Sequence, residues 1–463
     1  MQYLNDQGRG VKIAYIGGGS RGWAWRLMAD LALEPALSGE VFLYDLDFEA
    51  AHDNEIIGNQ LSVRDDVKGK WKYRTVKILE EALNGADFVV ISIQPGTFKE
   101  MTSDVHLPEK YGIYQSVGDT VGPGGLVRAL RTIPIYQDFA IKIKKYAPDA
   151  WIINYTNPMS LCTRTLYEVF PEIKAFGCCH EVFGTQKLLA SMLKEELGIA
   201  GIPRDEIRIN VLGINHFTWL DQASFRGTDL FPLYRKFVEQ YYESGFEGEG
   251  EDTWRTNNFK SAQRVKFDLF KRYGLIAAAG DRHLAEFLPP TWYLKDPETV
   301  ESWKFRLTPV DYRIGHQEQL ELQRKRMIRG EEQLPLKVSG EEGVRQIKAL
   351  LGMGDLITNV NLPNHGQMAD LPLKAVVETN ALFSRDRIRP VVAGALPPEI
   401  NHLVVRHVWN QETILKAALS KNKETAFRAF INDPLVTIKP GDAEILFKEM
   451  LANTCKYLPG WKL

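Results

Sequence analysis

The strongest constraint on the fold lies in the first fifty residues. Val11-Lys12-Ile13-Ala14-Tyr15-Ile16 is a β-branched apolar run that passes into Gly17-Gly18-Gly19-Ser20-Arg21-Gly22 and then into the helix-like stretch Trp23–Leu33. Gly17, Gly19 and Gly22 fit G-x-G-x-x-G. Such a turn lets backbone approach a pyrophosphate closely and aims helix N-terminal N–H groups at it. A second run, Val41–Tyr44, ends at Asp45, 23 residues past Gly22. An acid there accepts hydrogen bonds from ribose hydroxyls and repels a 2′-phosphate, so the pattern predicts NAD rather than NADP. The alternative is a Gly-rich turn that binds nothing.

The alternation continues. Phe88–Ile93, Trp151–Asn154 and Ala175–Cys179 are further apolar runs, and Ile135–Tyr146 is helix-like. This βαβα order predicts a doubly wound parallel sheet of the Rossmann type. Runs that are apolar throughout suit strands covered on both faces. After about residue 200 aromatics and charges mix, and helical periodicity dominates, as in Tyr234–Tyr242, Lys266–Tyr273, Asn401–Leu419 and Lys423–Ile431. Gly245–Asp252 and Gly330–Gly340 read as exposed loops. The expected organisation is a nucleotide domain at 1–200 and a mostly α, α+β catalytic domain at 201–463 that shares an interface with it.

Composition narrows the class. A chain of 463 residues exceeds one ordinary domain. Lys+Arg of 57 against Asp+Glu of 59 leaves a net charge of −2, so charge argues for neither nucleic acid nor an anionic membrane. No apolar run is long enough to span a bilayer, and the first residues lack the pattern of a signal peptide. Four cysteines, Cys162, Cys178, Cys179 and Cys455, are too few for a disulfide scaffold at this size. The expectation is a reduced, cytoplasmic protein.

Three segments are expected to converge at the carboxyl ends of the strands. In Asn154-Tyr155-Thr156-Asn157-Pro158, Asn157 either orients a substrate hydroxyl or simply makes a turn. In Cys178-Cys179-His180-Glu181-Val182 and Gly213-Ile214-Asn215-His216-Phe217, a thiolate and an imidazole could share one divalent cation, or both could be core residues. The stretch from Gln115 to Gly125 is a Gly-rich loop leading to Arg128 and Arg131. Asp119 there could bind sugar hydroxyls, and Arg131 could bind an anion or hold the loop.

Taken together, GGGS at Gly17–Ser20, LYDLD at Leu43–Asp47, VGPGGLVRALRTIP at Val121–Pro134, NYTNP at Asn154–Pro158, CHEV at Cys179–Val182, GINHF at Gly213–Phe217, GDRH at Gly280–His283 and RPVVAGALPP at Arg389–Pro398 resemble glycoside hydrolase family 4. These are the NAD- and metal-dependent glycosidases, exceptions to the two-carboxylate rule. The CHEV form resembles the α-galacturonidase branch. The α-glucosidase and α-galactosidase branches look more like CHS, and the phospho-glycosidase branches carry CDMP or CN-x-P.

The resemblance implies oxidation at C3 by NAD⁺, loss of the C2 proton, elimination at C1, addition of water and return of the hydride. It implies Mn²⁺ held by Cys179 and His216, although thiolate and imidazole alone would also suit zinc or iron. Gly17, Gly18, Gly19, Ser20, Arg21, Gly22, Asp45 and Asn154 would line the cofactor. Asn157, Asp119, Arg131, Glu181, Arg282 and His283 would face the sugar, with Arg282 and His283 available to a carboxylate. Asp281 is the first candidate for the C2 base and Tyr273 the second; the alternative for Asp281 is a helix cap or an ion pair with Arg282. His180 would act at the leaving oxygen. The resemblance also implies a homodimer or homotetramer. Competing expectations are an α-glucosidase, α-galactosidase or α-glucuronidase of the same family, a lactate/malate-type dehydrogenase, and a nucleotide sensor without chemistry.

Overall fold

The computed structural model describes residues 2–4, 7–248 and 252–462. Ten strands form the main sheet: β1 (Gln2–Leu4), β2 (Gln7–Ile16), β3 (Leu37–Tyr44), β4 (Lys70–Thr75), β5 (Phe88–Ile91), β6 (Trp151–Asn154), β7 (Lys174–Gly177), β12 (Leu356–Pro363), β13 (Val376–Ser384) and β14 (Arg387–Pro390). The order β4-β3-β2-β5-β6-β7 is parallel throughout. It is the 3-2-1-4-5-6 order of the doubly wound nucleotide fold. The side chains of β2 divide as the pleat requires. Val11, Ile13 and Tyr15 pack under helices Trp23–Leu33 and Phe48–Ser62, whereas Ala14 and Ile16 pack against Leu79–Leu83 and the far half of Gly122–Tyr146. With both faces covered, apolar residues are needed on both sides of the strand, which is why Ile13–Ile16 read as a continuous run.

The second half of the chain enters the same sheet. β12 pairs antiparallel with β7 through Asn361 and Gly177, and β13 and β14 extend it outward. The main sheet therefore draws strands from both sides of residue 201. A separate antiparallel sheet is built from β8 (Ile207–Ile214), β9 (Phe217–Phe225), β10 (Thr228–Asp229) and β11 (Ile276–Ala277). It packs with helices Pro398–Ser420, Lys423–Asn432 and Pro440–Thr454 into one apolar core that also takes in the start of Gly122–Tyr146. That single long helix thus ties the nucleotide-type sheet to the C-terminal helices.

Two sequence expectations change. β4, KWKYRT, alternates exposed and buried residues at the sheet edge, so its charges masked it. The Gly-rich stretch is a loop only to Val121, and Gly122, Gly124 and Gly125 open the 25-residue helix Gly122–Tyr146. A side chain at Gly125 would overlap the backbone of Thr120, so this glycine lets helix and loop touch. The loop expected at Gly245–Asp252 is described only outside residues 249–251, and Gly330–Gly340 is non-helical as expected. Among the described residues no helix is long and apolar enough to cross a membrane.

Candidate active site

The expected segments meet beyond the carboxyl ends of β2, β5, β6 and β7. After β2 the chain turns at Gly17, whose φ of 96° lies in the left-handed region. A Cβ there would strike the Ser92 carbonyl just past β5. The Gly19 amide donates to Asp45 Oδ2 at 2.9 Å, and the Asp47 amide donates to Oδ1 at 3.0 Å. Asp45 therefore sits against the turn with lone pairs to spare. Ser20 Oγ accepts from the Trp23 amide at 3.3 Å. Helix Trp23–Leu33 has no acid in its first turn and no side-chain cap at Gly22, which leaves its positive end for an anion. Asn54, which no motif had flagged, braces the turn by donating to the Gly18 and Ser20 carbonyls at 2.8 and 3.0 Å. Arg21 pairs with Glu321 at 2.6 Å and borders an open groove of about 480 Å³ with Gln317, Glu318 and Leu322.

Asp119, His216 and His283 form the second part. One ligand atom from each lies within 4.8 Å of the others. His216 occupies the two-residue connection between β8 and β9 with φ 65°, a conformation sparsely populated outside glycine. Its ring stacks on His283 with centroids 3.7 Å apart, and its Nδ1 lies 2.9 Å from Thr120 Oγ1. Thr120 Oγ1 also reaches Asp119 Oδ1 at 2.7 Å, and Asn157 Nδ2 donates to Asp119 Oδ2 at 3.2 Å. His283 Nδ1 and Asn157 Oδ1 are buried without a partner.

Burial alone would raise Asp119, but His283, His216 and Arg128 hold it well below the usual carboxylate range. Burial, reinforced by His283, pushes His216 down to about 3. A carboxylate beside neutral imidazoles is the protonation state a divalent cation needs, and buried polar atoms without partners call for one.

The other expected residues divide between the site and its supports. Cys179 is in no such trio among the described residues. Its buried thiol, pushed up by desolvation, meets Asn215, the neighbour of His216. Glu181 accepts from the Gly280 amide at 2.6 Å and faces His283 at 3.8 Å; burial would raise it, but His283 and His180 hold it at about 2. His180 is half exposed, pairs with Glu341 at 3.2 Å and lies against Trp23. Desolvation would lower it, but Glu341 and Glu181 leave it raised.

Three assignments need correction. Arg131 is fully buried and engaged by Asp104 and the Pro95 carbonyl, which it meets at 3.1 and 2.9 Å. It holds the loop after β5 and has no group left for a substrate. Asn154, expected at the cofactor, has its amide closed on Thr156 and Tyr136 and shapes the turn before Asn157. Tyr273 packs its ring on Trp219 at 5.9 Å in the C-terminal core. It ends the ten-residue helix Arg264–Tyr273, whose start is held by Asp281. The two base candidates therefore stand at opposite ends of that helix.

Asp281 accepts from the Val265 and Lys266 amides at 3.3 and 3.2 Å. It caps that neighbouring helix, and desolvation pushes it up to about 6. The sequence offered no signal for Glu378 on β13. That carboxyl accepts from Asn359 at 2.7 Å and from Asn215 at 3.2 Å and is pushed up to about 7 by burial. Its neighbours come from strands far apart in the chain.

Comparison with known proteins agrees with this geometry. The profile described as "Family 4 glycosyl hydrolase" matches residues 12–195, and that of its C-terminal domain matches residues 211–436. The chain is 65% identical to an alpha-galacturonidase of Thermoanaerobacterium saccharolyticum, with 100% of both chains covered. A crystal structure from Bacillus subtilis, provisionally described as a glucosidase, is 56% identical, covers 96% of this chain and 100% of its own, and superposes with TM-score 0.91. A 6-phospho-beta glucosidase from Thermotoga maritima, solved with manganese, NAD+ and glucose-6-phosphate, has TM-score 0.77 at 20% identity, with 97% and 99% covered; at that identity it speaks to the fold.

Proposed function

Since this chain belongs to glycoside hydrolase family 4, we propose that it hydrolyses α-linked galacturonides, using NAD⁺ and a divalent cation, Mn²⁺. The observation that carries this reading is the cluster of Asp119, His216 and His283 beside Asn157, placed past the strand ends that also carry the Gly17–Gly22 turn. Full-length similarity to the T. saccharolyticum alpha-galacturonidase supports the uronide. The T. maritima relative, solved with manganese and NAD+, supports the two groups.

The residues present fit both. The turn is built of glycines because side chains at Gly17, Gly18 and Gly19 would strike Ser92, Leu43 and Ala50, and it leads to an uncapped helix end. One carboxylate and two neutral imidazoles suit a cation of intermediate hardness. When bound, NAD⁺ supplies a hydride acceptor for C3 and Mn²⁺ a Lewis acid beside C2 and C3.

The chain's own residues do the rest. Asp45 orients a ribose. His216, Asp119 and His283 hold the cation, and Cys179, next to Asn215, is the further donor implied by the family. Asn157 positions the sugar hydroxyls at the cation. Asp281, two residues before His283 and held by two amides, takes the C2 proton. His180, half exposed and kept basic by Glu341, serves the leaving oxygen.

The test is release of nitrophenol from 4-nitrophenyl α-D-galactopyranosiduronic acid with NAD⁺, Mn²⁺ and a reductant, omitting each in turn. Release that needs NAD⁺ and Mn²⁺, with no accumulation of NADH, is expected. Turnover of the neutral galactoside alone would keep the family chemistry and discard the uronide.

A further inference from the structure

Beside the cation cluster lies a concentration of positive charge without a partner. Arg282 immediately precedes His283, and Arg313 stands on helix Val310–Ile328. Their guanidiniums flank one ring: Arg282 Cζ lies 5.3 Å and Arg313 Cζ 5.6 Å from the centroid of Phe259. Arg282 donates to Thr308 Oγ1 and, at 3.3 Å, to the Ser116 carbonyl. Nε of both arginines is buried without a partner, and neither makes an ion pair among the described residues.

Three acids act on the pair, and among the described residues none forms an ion pair with it; Glu181 accepts from the Gly280 amide and faces His283. Asp119 is tied to Thr120 and Asn157 and belongs to the cation cluster. Glu286 turns Oε1 to the Val117 and Gly118 amides at 2.7 and 2.9 Å, and desolvation pushes it up to about 8. Two partly exposed guanidiniums on one ring disfavour each other's charge, and desolvation, reinforced by Arg313, brings Arg282 down to about 10. Two like charges held on one ring with no ion pair of their own favour an anion between them.

Resting on the galacturonidase reading, we propose that Arg313, together with Arg282, binds the C6 carboxylate of the sugar and sets the preference for a uronide over a neutral hexoside. A planar fork matches a carboxylate in two parallel bonds, which a neutral hydroxymethyl cannot return. Phe259 holds both forks in place as the shared face. Arg313 is the decisive member, because among the described residues its side chain has no hydrogen bond to maintain. The sugar then spans two anchors: its C2 and C3 hydroxyls at Asn157 and the cation cluster, and its carboxylate at the arginines.

The experiment compares the full-length wild type with Arg313→Gln and Arg313→Lys. Two readouts are used: calorimetric binding of D-galacturonate against D-galactose, and kcat/KM on the 4-nitrophenyl galacturonide against the galactoside. In Arg313→Gln the ratio of uronide to galactoside should fall by about 10- to 100-fold, the scale of a lost charge-assisted hydrogen bond. The fall should come mainly through KM, with Arg313→Lys intermediate. Thermal unfolding of Arg313→Gln should not drop, because the Arg313 side chain makes no ion pair or hydrogen bond among the described residues. A wild type that cleaves the galacturonide, with a ratio unchanged in Arg313→Gln, would overturn the arginine assignment and leave the function standing. A wild type that binds galacturonate over galactose, loses that preference in Arg313→Gln, yet cleaves no galacturonide would do the reverse. No preference in the wild type overturns both.

Discussion

His216 shows how much one residue is asked to do in this site. It holds a left-handed backbone at a hairpin tip, stacks on His283 and reaches Thr120. Such strain persists where the surroundings over-determine it, and it gathers at functional sites. His216→Gln and His283→Gln are each expected to weaken Mn²⁺ binding by about 10-fold or more, measured by calorimetry, and to reduce turnover with it. Cys179→Ser is expected to abolish metal-supported turnover; full activity there would leave the trio standing and exclude the thiol as a further donor.

Arg131 illustrates the opposite case. Its pairing with Asp104 is fully buried, so Arg131→Met strands a carboxylate in the interior and should destabilise the fold by about 3–5 kcal/mol. Urea unfolding checks this. A change in substrate KM at unaltered stability would contradict the supporting role.

At the scale of elements, the helix Gly122–Tyr146 and the turn after β2 decide where the chemistry sits. The helix begins where the Gly122 amide donates to Asp433 at 2.9 Å and the Gly124 amide donates to Gln115 Oε1 at 2.9 Å. These contacts set the loop that carries Asp119 and Thr120. The turn depends on Gly17. Gly17→Ala adds a methyl against the Ser92 carbonyl in a left-handed backbone, so the turn must shift and NAD⁺ binding followed by fluorescence titration should be lost or weakened by more than about 10-fold, the left-handed backbone alone costing about 1–2 kcal/mol. A Gly17→Ala variant with full NAD⁺ affinity would show that the turn does not carry the cofactor.

For the whole molecule, β12–β14 close the parallel sheet against β7, and one core runs from Gly122–Tyr146 into the C-terminal helices. A fragment of residues 1–200 is therefore expected to lack cooperative unfolding, checked by circular dichroism against the full chain. Acid stability belongs to this scale too. His407 lies in that core, with Nε2 2.8 Å from the Phe287 carbonyl, and burial pushes it from 6.5 down to about 4. The folded state keeps it neutral while the unfolded chain takes a proton below pH 6.5. Its contribution is thus complete above pH 6.5 and is lost as pH falls to 4, by about 3 kcal/mol. His407→Gln should flatten urea stability over that window; an unchanged slope would exclude His407 as the cause.

Local chemistry made the nucleotide turn, the parallel strands β2, β3, β5, β6 and β7, and His216 legible in the sequence, because each follows from neighbours within a few residues. The Gly-rich loop offered Asp119 and the GDRH motif His283, both as residues facing the sugar; their grouping with His216 came only from packing. The charged edge strand β4 was hidden because only alternate residues are buried. Arg313, Glu378 and Asn54 were not legible, and Arg131 and Asn154 were misplaced. Their partners come from distant elements, and a side chain's role is set by what long-range packing puts beside it. Sequence alone determined the kind of sheet and the family of chemistry. Tertiary structure decided which polar groups are consumed in holding the fold and which are left facing a ligand, since only packing fixes burial and the supply of partners.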